Sequence, residues 1–568
     1  MNLNPNHFIP HIVQRSIPLV ANSVLSEVSP LLRRIYLARG IRSTQELNLN
    51  LTNLLPPYNL SGITAAVELL GQAIINHDRI AIAGDFDADG ATASALCLLV
   101  LKSLGAVNVK IFIPDRFIMG YGLTPALVET ISSWKAKLIL TVDAGISSIA
   151  GVTRARELGM QVIITDHHLP GDILPNANAI VNPNLHNEIF AGKNTAGVGV
   201  AFYFLAALRR KLQPNFNMAA LLDLVALGTV ADLVPLDYNN RILVYQGLKL
   251  IRAKRCRHGI AALLQVAKCS TERVTTNDLA YQVAPRLNAA GRLETMELGV
   301  ECLLNDDPKQ ALEQAQRLDS LNRERRDIEQ GMKTQAELML QEIALTGDIP
   351  LGLCLYNSNW HQGVIGILAS RIKELYHRPV IALALGDDGI VKGSARSIAA
   401  VHIRDVLVDI DRRYPGLLIR YGGHAMAAGL VLQLEKVTTF SNVFAETVHA
   451  NLKGVLPQTQ ILTDGVLHPE EITAETAILL RYAMPWGQTF PAPIFDGEFK
   501  IRSQRIVGKG HLKLILAYNT DRNLNAIVFR WNKPLLDKDH VRIAYHLELS
   551  EFNGKQYPEL IVEHLESI

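Results

Sequence analysis

Four short apolar runs in the N-terminal half of this chain each stop at acidic residues or histidine. Arg79-Ile-Ala-Ile-Ala-Gly84 breaks into Asp85-Phe-Asp87-Ala-Asp89-Gly90, and a helix-like pattern follows from Ala91 to Gly105. Lys137-Leu-Ile-Leu-Thr-Val142 ends in Asp143-Ala-Gly145, and Gln161-Val-Ile-Ile-Thr165 ends in Asp166-His167-His168. A fourth segment, Leu221 to Val230, is apolar without a clear period and delivers Asp232. Apolar strands alternating with helical patterns predict a parallel sheet covered on both faces, whose ligands lie beyond the carboxyl ends of the strands. All four acidic tips then meet at one edge.

Further along, Leu312, Ala315, Leu318, Leu321, Ile328, Met332 and Leu340 keep helical spacing around a charged middle, Arg323 to Asp327. One long helix from about Pro308 to Ala344, started by Asp307 and Pro308, is expected to connect two domains. A second α/β unit opens near Ile349, with strand patterns at Leu351 to Leu355 and Pro379 to Leu385 and a helix pattern from Gly363 to Tyr376. It ends near Leu452. From Phe495 the pattern changes to strands at Phe499 to Ile506, His511 to Tyr518, Ala526 to Trp531, Val541 to Leu549 and Leu560 to Glu563. Five short antiparallel strands with turns at Gly508-Lys-Gly510, Asn519-Thr-Asp521 and Asn553-Gly554 fit an OB-fold barrel, a common carrier of single strands.

Composition adds bounds more than identity. At 568 residues the chain exceeds one hydrophobic core, and 48% hydrophobic residues argue against extensive disorder. A formal charge of +2 means that any nucleic-acid surface is a local basic patch. The five cysteines are scattered and show no CxxC spacing, which fits a reducing cytoplasmic compartment. No signal peptide is read at the N-terminus, and the longest apolar stretch, Ala196 to Leu208, is too short for a bilayer.

Several carboxylates in one crevice repel one another unless cations sit between them. Carboxylates with one or two imidazoles suit Mn²⁺ or Mg²⁺ better than a soft metal. Two such ions about 4 Å apart, bridged by a carboxylate, would activate water and stabilise a leaving oxygen, so phosphoester hydrolysis is the chemistry expected.

Asp85-Phe-Asp-Ala-Asp-Gly90, Asp143-Ala-Gly145, Asp166-His-His168 and Val230-Ala-Asp-Leu-Val-Pro235 resemble the successive motifs of the DHH phosphoesterase superfamily. Ala284-Pro-Arg-Leu-Asn-Ala-Ala-Gly-Arg292, Trp360-His-Gln-Gly-Val-Ile-Gly366, Gly393-Ser-Ala-Arg396 and Gly422-Gly-His-Ala-Met-Ala-Ala-Gly429 are similar to those of the RecJ family of bacterial single-strand-specific exonucleases. The resemblance implies a multidomain α/β protein: a parallel-sheet DHH domain, a connecting helix, a second α/β (DHHA1) domain and a C-terminal OB-fold. The expected borders are an N-terminal segment 1–60, the catalytic domain with its helical extension 61–305, the helix 306–345, the DHHA1 domain 346–455 and the barrel 456–568.

The expected metal ligands are Asp85, Asp87, Asp89, Asp143, His167 and Asp232, with Asp143 bridging. Asp85 departs from the superfamily, whose members often carry histidine there. His168 is expected to face the substrate phosphate. A lone DxD pair could equally cap a helix, but strand after strand ending in acid is not explained by capping. Arg116 suits a phosphate as well as a surface ion pair. Arg286, Asn288 and Arg292 are candidates for the substrate path, against a bland reading of helix capping and a structural salt bridge. Ser394 and Arg396, in a small-residue loop, are expected to grip a 5′ terminal phosphate. His361 with Gln362, and Gly422, Gly423 and His424, are expected along the same strand. Lys509, Lys513 and Arg530, with Tyr518, Phe529 and Trp531, offer charge and stacking surfaces on the barrel, which core packing explains equally well.

The expected activity is degradation of single-stranded DNA from 5′ to 3′ into mononucleotides in recombination and repair. A narrow path between the two α/β units would exclude duplex. A single-strand-binding protein and a RecQ-type helicase are the partners the resemblance suggests. Two alternatives stand beside it: a DHH phosphoesterase for oligoribonucleotides or other small phosphoesters, and a non-catalytic DNA-binding scaffold.

Overall fold

The computed structural model describes residues 10–19, 24–213, 215–386, 389–508, 510–517, 523–531, 533–552 and 554–568. Lys509, Tyr518, Asn553 and the turn at 519–521 lie outside the described residues. The chain divides into two compact units. One comprises Gln14–Asn322 with Leu462–Ile568, and the other Arg323–Ile461 with the residues up to Val13.

The first unit is built on five parallel strands, β1 (Ile80–Gly84), β2 (Val109–Phe112), β3 (Leu138–Val142), β4 (Gln161–Thr165) and β5 (Ala179–Val181), in the order β2-β1-β3-β4-β5. Alternate residues feed opposite faces. Ile80, Ile82, Leu138, Leu140 and Ile163 join one core, and Ala81, Ala83, Ile139, Val162 and Ile164 join another. Each fully buried Ile or Leu contributes roughly 1.5–3 kcal/mol, which is why the runs read as continuous apolar stretches. The strand order reverses direction between β1 and β3, so loops leaving those two strands splay apart and open a crevice.

Helices fill the face above β1. Helix α1 (Ala88–Ser103) begins three residues earlier than its apolar pattern suggested, because Asp87 rather than Asp89 is the cap. Helix α2 (Gly197–Leu212) and helix α3 (Leu222–Ala231) complete this layer. The fourth acidic tip therefore sits at the end of a helix, not a strand. Residues buried on all sides of α3 erase any amphipathic period, which is why the sequence left its type open. Helix α4 (Ala284–Leu293) follows a π-helical turn at Leu279–Val283. The long helix α5 (Pro308–Thr346) carries the chain across the division into the second unit.

The second unit holds a mixed sheet. Strands β6 (Leu353–Asn357) and β7 (Val380–Leu385) are parallel, while β8 (Ile390–Arg396), β9 (Arg420–Gly423) and β10 (Ala427–Gln433) join antiparallel, in the order β9-β10-β8-β7-β6. Helix α6 (Ile365–Tyr376) packs on β7 and β8. Ser394 and Arg396, expected in a loop, are strand residues, and Gly422-Gly423 closes an antiparallel pair rather than forming a free loop.

The chain then returns to the first unit. Strands β11 (Phe495–Val507), β12 (His511–Ala517), β13 (Asn523–Val528), β14 (His540–Phe552) and β15 (Lys555–Ser567) close into a barrel, β11-β12-β13-β15-β14. One pairing departs from the antiparallel expectation: β13 and β15 run parallel, which closes the barrel. Leu512, Leu514 and Leu516 alternate inward. Trp531 packs against the core and Phe529 stands exposed beside the His511 ring, so the barrel aromatics divide between core and surface. Lys513 lies 3.9 Å from Glu559, and Arg530 takes a left-handed backbone. All five cysteines are free, and no helix among the described residues is long and apolar enough to cross a membrane.

Candidate metal centre

Each acidic loop is shaped by local chemistry before any tertiary contact. Asp87 Oδ1 accepts the N–H groups of Asp89 and Gly90 at 3.0 Å, so the helix-capping reading holds for one oxygen of this residue. Gly90 must be glycine, since a Cβ there would meet Asp85 O at 2.6 Å. After β3 the backbone turns sharply. Asp143 adopts φ +59°, a left-handed conformation uncommon outside glycine, and Gly145 follows at +114°. Asp232 caps the end of α3.

These loops converge. His167 Nε2 lies 3.1 Å from Asp143 Oδ1 and 3.5 Å from Asp232 Oδ2. Three sets of possible ligand atoms each fall within 4.8 Å of one another: Asp85, Asp87 and Asp143; Asp89, His167 and Asp232; and Asp143, His167 and His168. Asp143 belongs to two of the sets, the position a bridging carboxylate needs.

The residues present fit divalent cations. Asp85 Oδ1 and Asp143 Oδ1 are buried and accept no hydrogen bond among the described residues. Burial, then neighbouring carboxylates, raise Asp85, Asp143 and Asp232 well above the usual carboxylate range, and raise Asp89 to about 7. A cation among them removes both penalties. The donor set, carboxylate oxygens with imidazole nitrogen, matches Mn²⁺ or Mg²⁺.

Residues outside the predicted set organise this cluster. Asp166 Oδ1 accepts from the N–H groups of His167 and His168 and lies 2.7 Å from His168 Nδ1, while its Oδ2 accepts from Ile146 N–H at 2.9 Å. One buried carboxylate thus joins the loops after β3 and β4. Burial alone would raise Asp166, but the His168 hydrogen bond and charge hold it below the usual range. Burial alone would lower His168, but Asp166 pushes it up to about 9. Tyr121 Oη sits 3.3 Å from His168 Nδ1, with its ring edge-on to both His168 and Phe86. The Arg116 guanidinium lies 4.5 Å from the Phe86 ring centroid; burial lowers its pKa, and Asp85 and Asp87 offset this. It thus stands beside the acids.

Two predicted substrate residues are occupied otherwise. Arg286 is buried in an ion pair with Asp319 at 2.9 Å, and Asn288 Oδ1 accepts the Ala88 N–H at 2.8 Å. These are the salt-bridge and helix-capping roles weighed against DNA contact. Arg286 thereby ties α4 to α5, and Asn288 holds α4 against the start of α1, where Gly291 leaves room for Phe86 O. Arg292 is in the last turn of α4, half-buried.

In the second unit, the antiparallel register places Ala382, Ser394, Gly429 and Gly422 in one row across four strands. Small residues on both sides leave Ser394 standing on a flat floor. Arg396 donates to Ser394 Oγ at 3.2 Å, and a Cβ on Gly366 would meet that Oγ at 2.9 Å. Burial lowers the Arg396 pKa, and Arg396 makes no ion pair among the described residues. His361 Nδ1 accepts from Gly363 N–H, Gln362 donates to Leu385 O, and His424 N–H donates to Ala427 O in the turn after Gly423. Gly423 needs its lack of side chain: it has φ +146°, and a Cβ would meet Ala427 O at 2.4 Å.

Comparison with known proteins agrees with this layout. The DHH family N-terminal domain matches residues 79–229, the DHHA1 domain 351–450 and the RecJ OB domain 463–564. The chain is 49% identical to the single-stranded-DNA-specific exonuclease RecJ of Escherichia coli K12 over 555 residues, covering 95% of this chain and 96% of that one. It is 48% identical to the RecJ of Haemophilus influenzae over 574 residues, covering 98% and 99%. The crystal structure of RecJ in complex with Mn²⁺ from Thermus thermophilus superposes with a TM-score of 0.80 at 31% identity, covering 98% of this chain and 79% of that one.

Proposed function

This chain belongs to the RecJ family of single-stranded-DNA-specific exonucleases, and we propose that it removes mononucleotides from the 5′ end of single-stranded DNA with Mn²⁺ or Mg²⁺. The observation that carries the reading is the convergence on Asp143, shared by two sets of ligand atoms and buried with an oxygen that accepts no hydrogen bond among the described residues.

Asp85, Asp87, Asp89, Asp143, His167 and Asp232 would hold the ions. Divalent ions there would supply an activated water and charge neutralisation at the scissile phosphate and the departing 3′ oxygen. The protein does the rest. Asp166 fixes the His168 ring and keeps it protonated, so that it donates to a phosphate oxygen as negative charge develops. Tyr121 restrains the same ring, and Arg116 offers a planar donor fork to the phosphate.

In the second unit Ser394 and Arg396 receive the 5′ terminal phosphate on their small-residue floor, with His361, Gly422, Gly423 and His424 along the strand. Arg292 lines the substrate path. The barrel, with exposed Phe529, offers stacking to downstream bases. The working domain borders are those expected from the sequence: 61–305, 306–345, 346–455 and 456–568. A cytoplasmic role in recombination and repair, with a single-strand-binding protein and a RecQ-type helicase as partners, completes the proposal.

The test is direct. Purified protein with end-labelled single-stranded and duplex DNA should degrade only the single strand, from its 5′ end, with Mn²⁺ or Mg²⁺ and not with chelator. Degradation that persists in chelator, or prefers duplex, rejects the reading.

A further inference from the structure

We propose that Asn184, braced by Asn182, is a positioning residue that holds the metal-facing His167 in place through its backbone. The inference rests on the metal-dependent reading above and adds a part that lies outside the ligand set. His167 and His168 follow β4 but belong to no strand or helix, so their peptide groups need partners from elsewhere. Side chains supply all four. Asp166 Oδ1 takes both N–H groups, at 2.7 and 3.0 Å. The carbonyls go to the segment after β5: Asn184 Nδ2 donates to His167 O at 2.6 Å and Asn182 Nδ2 to His168 O at 2.9 Å.

The segment Asn182-Pro183-Asn184 is shaped for this task. Asn182 is fully buried and uses both ends of its amide, since its Oδ1 accepts the Asn184 N–H at 2.7 Å. Pro183, also buried, has no N–H to leave unpaired, and a residue before proline favours the extended backbone in which Asn182 continues β5. The Pro183 carbonyl accepts from Lys193 Nζ at 2.9 Å, and the same ammonium reaches Glu188 O at 2.8 Å. An ionised aspartate could not donate to a carbonyl, and a leucine of similar shape has no polar atom, so the position needs an amide. What the amide secures is the direction of a ring. His167 Nε2 lies 3.1 Å from Asp143 Oδ1 and 3.5 Å from Asp232 Oδ2, whereas the neighbouring His168 turns its Nδ1 to Asp166 at 2.7 Å. A backbone rotation that withdrew His167 from the acids would also break the Asn184 hydrogen bond. Asn184 acts on the ions through His167.

The experiment uses the full chain, stripped of metal and titrated with Mn²⁺ by calorimetry at a temperature where every variant compared is folded. Asn184→Ala removes the donor from a half-buried position. The clamp predicts as many Mn²⁺ per chain as in wild type, a dissociation constant raised about tenfold, and turnover of single-stranded DNA that returns to near wild type at saturating Mn²⁺. A merely structural loss, as in Arg286→Ala, lowers the melting temperature and leaves the dissociation constant unchanged. Wild-type affinity in N184A, or turnover that stays low at saturating Mn²⁺, overturns the clamp. Wild type that binds no Mn²⁺, or His167→Ala that binds it as wild type does, overturns the metal reading itself and the clamp with it. Should N184A not fold, Lys193→Met decides. Its exposed side chain braces the Pro183 carbonyl, and the variant should bind Mn²⁺ about threefold more weakly. Unchanged affinity there overturns the proposal.

Discussion

The two α/β sheets of this protein gather charge in opposite ways. The all-parallel sheet gathers Asp85, Asp87, Asp89, Asp143, His167 and Asp232 in a crevice where most of the acids are too crowded to ionise together without cations. The mixed sheet sets one guanidinium, Arg396, and one hydroxyl, Ser394, on a floor of alanine and glycine with no acid paired to them among the described residues. The first arrangement needs loops that leave neighbouring parallel strands at a reversal of strand order. The second needs only adjacent strands with small residues in register. The proposal assigns reaction to the former, where charge would develop, and recognition of a terminal anion to the latter.

The comparison can be broken most decisively at Asp143. Asp143→Asn should lower turnover on the order of a thousandfold, several kcal/mol of transition-state stabilisation, while single-stranded DNA binding measured by fluorescence anisotropy stays near wild type. Equal loss of binding would mean that the acids do not divide reaction from recognition. Next is Arg286, which the geometry places with the frame rather than with DNA. Arg286→Ala leaves Asp319 buried without its partner and should cost about 3 kcal/mol of stability in denaturant titration. A tenfold rise in KM with unchanged stability would return Arg286 to the substrate path.

Arg396→Ala should weaken the enzyme for 5′-phosphorylated strands by about 10- to 100-fold in KM, with kcat changed little, and should abolish any preference over 5′-hydroxyl strands. An equal effect on both strand types would show that the mixed sheet does not read the end. The last effect is on pH. Asp89 is raised to about 7, and Asp85, Asp143 and Asp232 are raised too, so the metal-free folded protein binds protons that the unfolded chain does not. The sign follows: metal-free stability should fall as pH rises from about 5 to 8, and Mn²⁺ affinity should rise over the same window, by about tenfold per pH unit for each proton displaced. Proton release on Mn²⁺ binding, measured in buffers of different ionisation enthalpy, checks it.

Strands β1, β3 and β4 of the parallel sheet, β6 and β7 of the mixed sheet and the strands of the barrel were legible because buried strands write apolar runs and their ends write acids or turns. Strands β2, β5, β8, β9 and β10 are shorter or rich in small and polar residues and did not stand out. The site was legible where ligands follow a strand directly, as Asp143 and His167 do. It was obscure where a residue's role depends on a partner far along the chain. Asp89 finds Gly197 and Val198 more than a hundred residues away. Arg286 and Asn288 carry the same residue types a DNA contact would need, and only their partners Asp319 and Ala88 show that they are part of the frame. Asp166 stood within a recognised motif, yet its work of joining two loops has no local signature.

By itself the sequence determined which residues are apolar, which acids end the strands, and thus that a parallel sheet would carry a hard-metal site at one edge. Those outcomes depend on periodicity and on charge, properties each segment holds locally. Only the tertiary structure decided that Asp232 comes from a helix end, that Asp143 is shared between two ligand sets, that Ser394 and Arg396 lie in a strand beside glycines, and that β13 meets β15 in parallel. Those outcomes turn on distances between segments, and packing fixes a distance only when every layer of the core is in place.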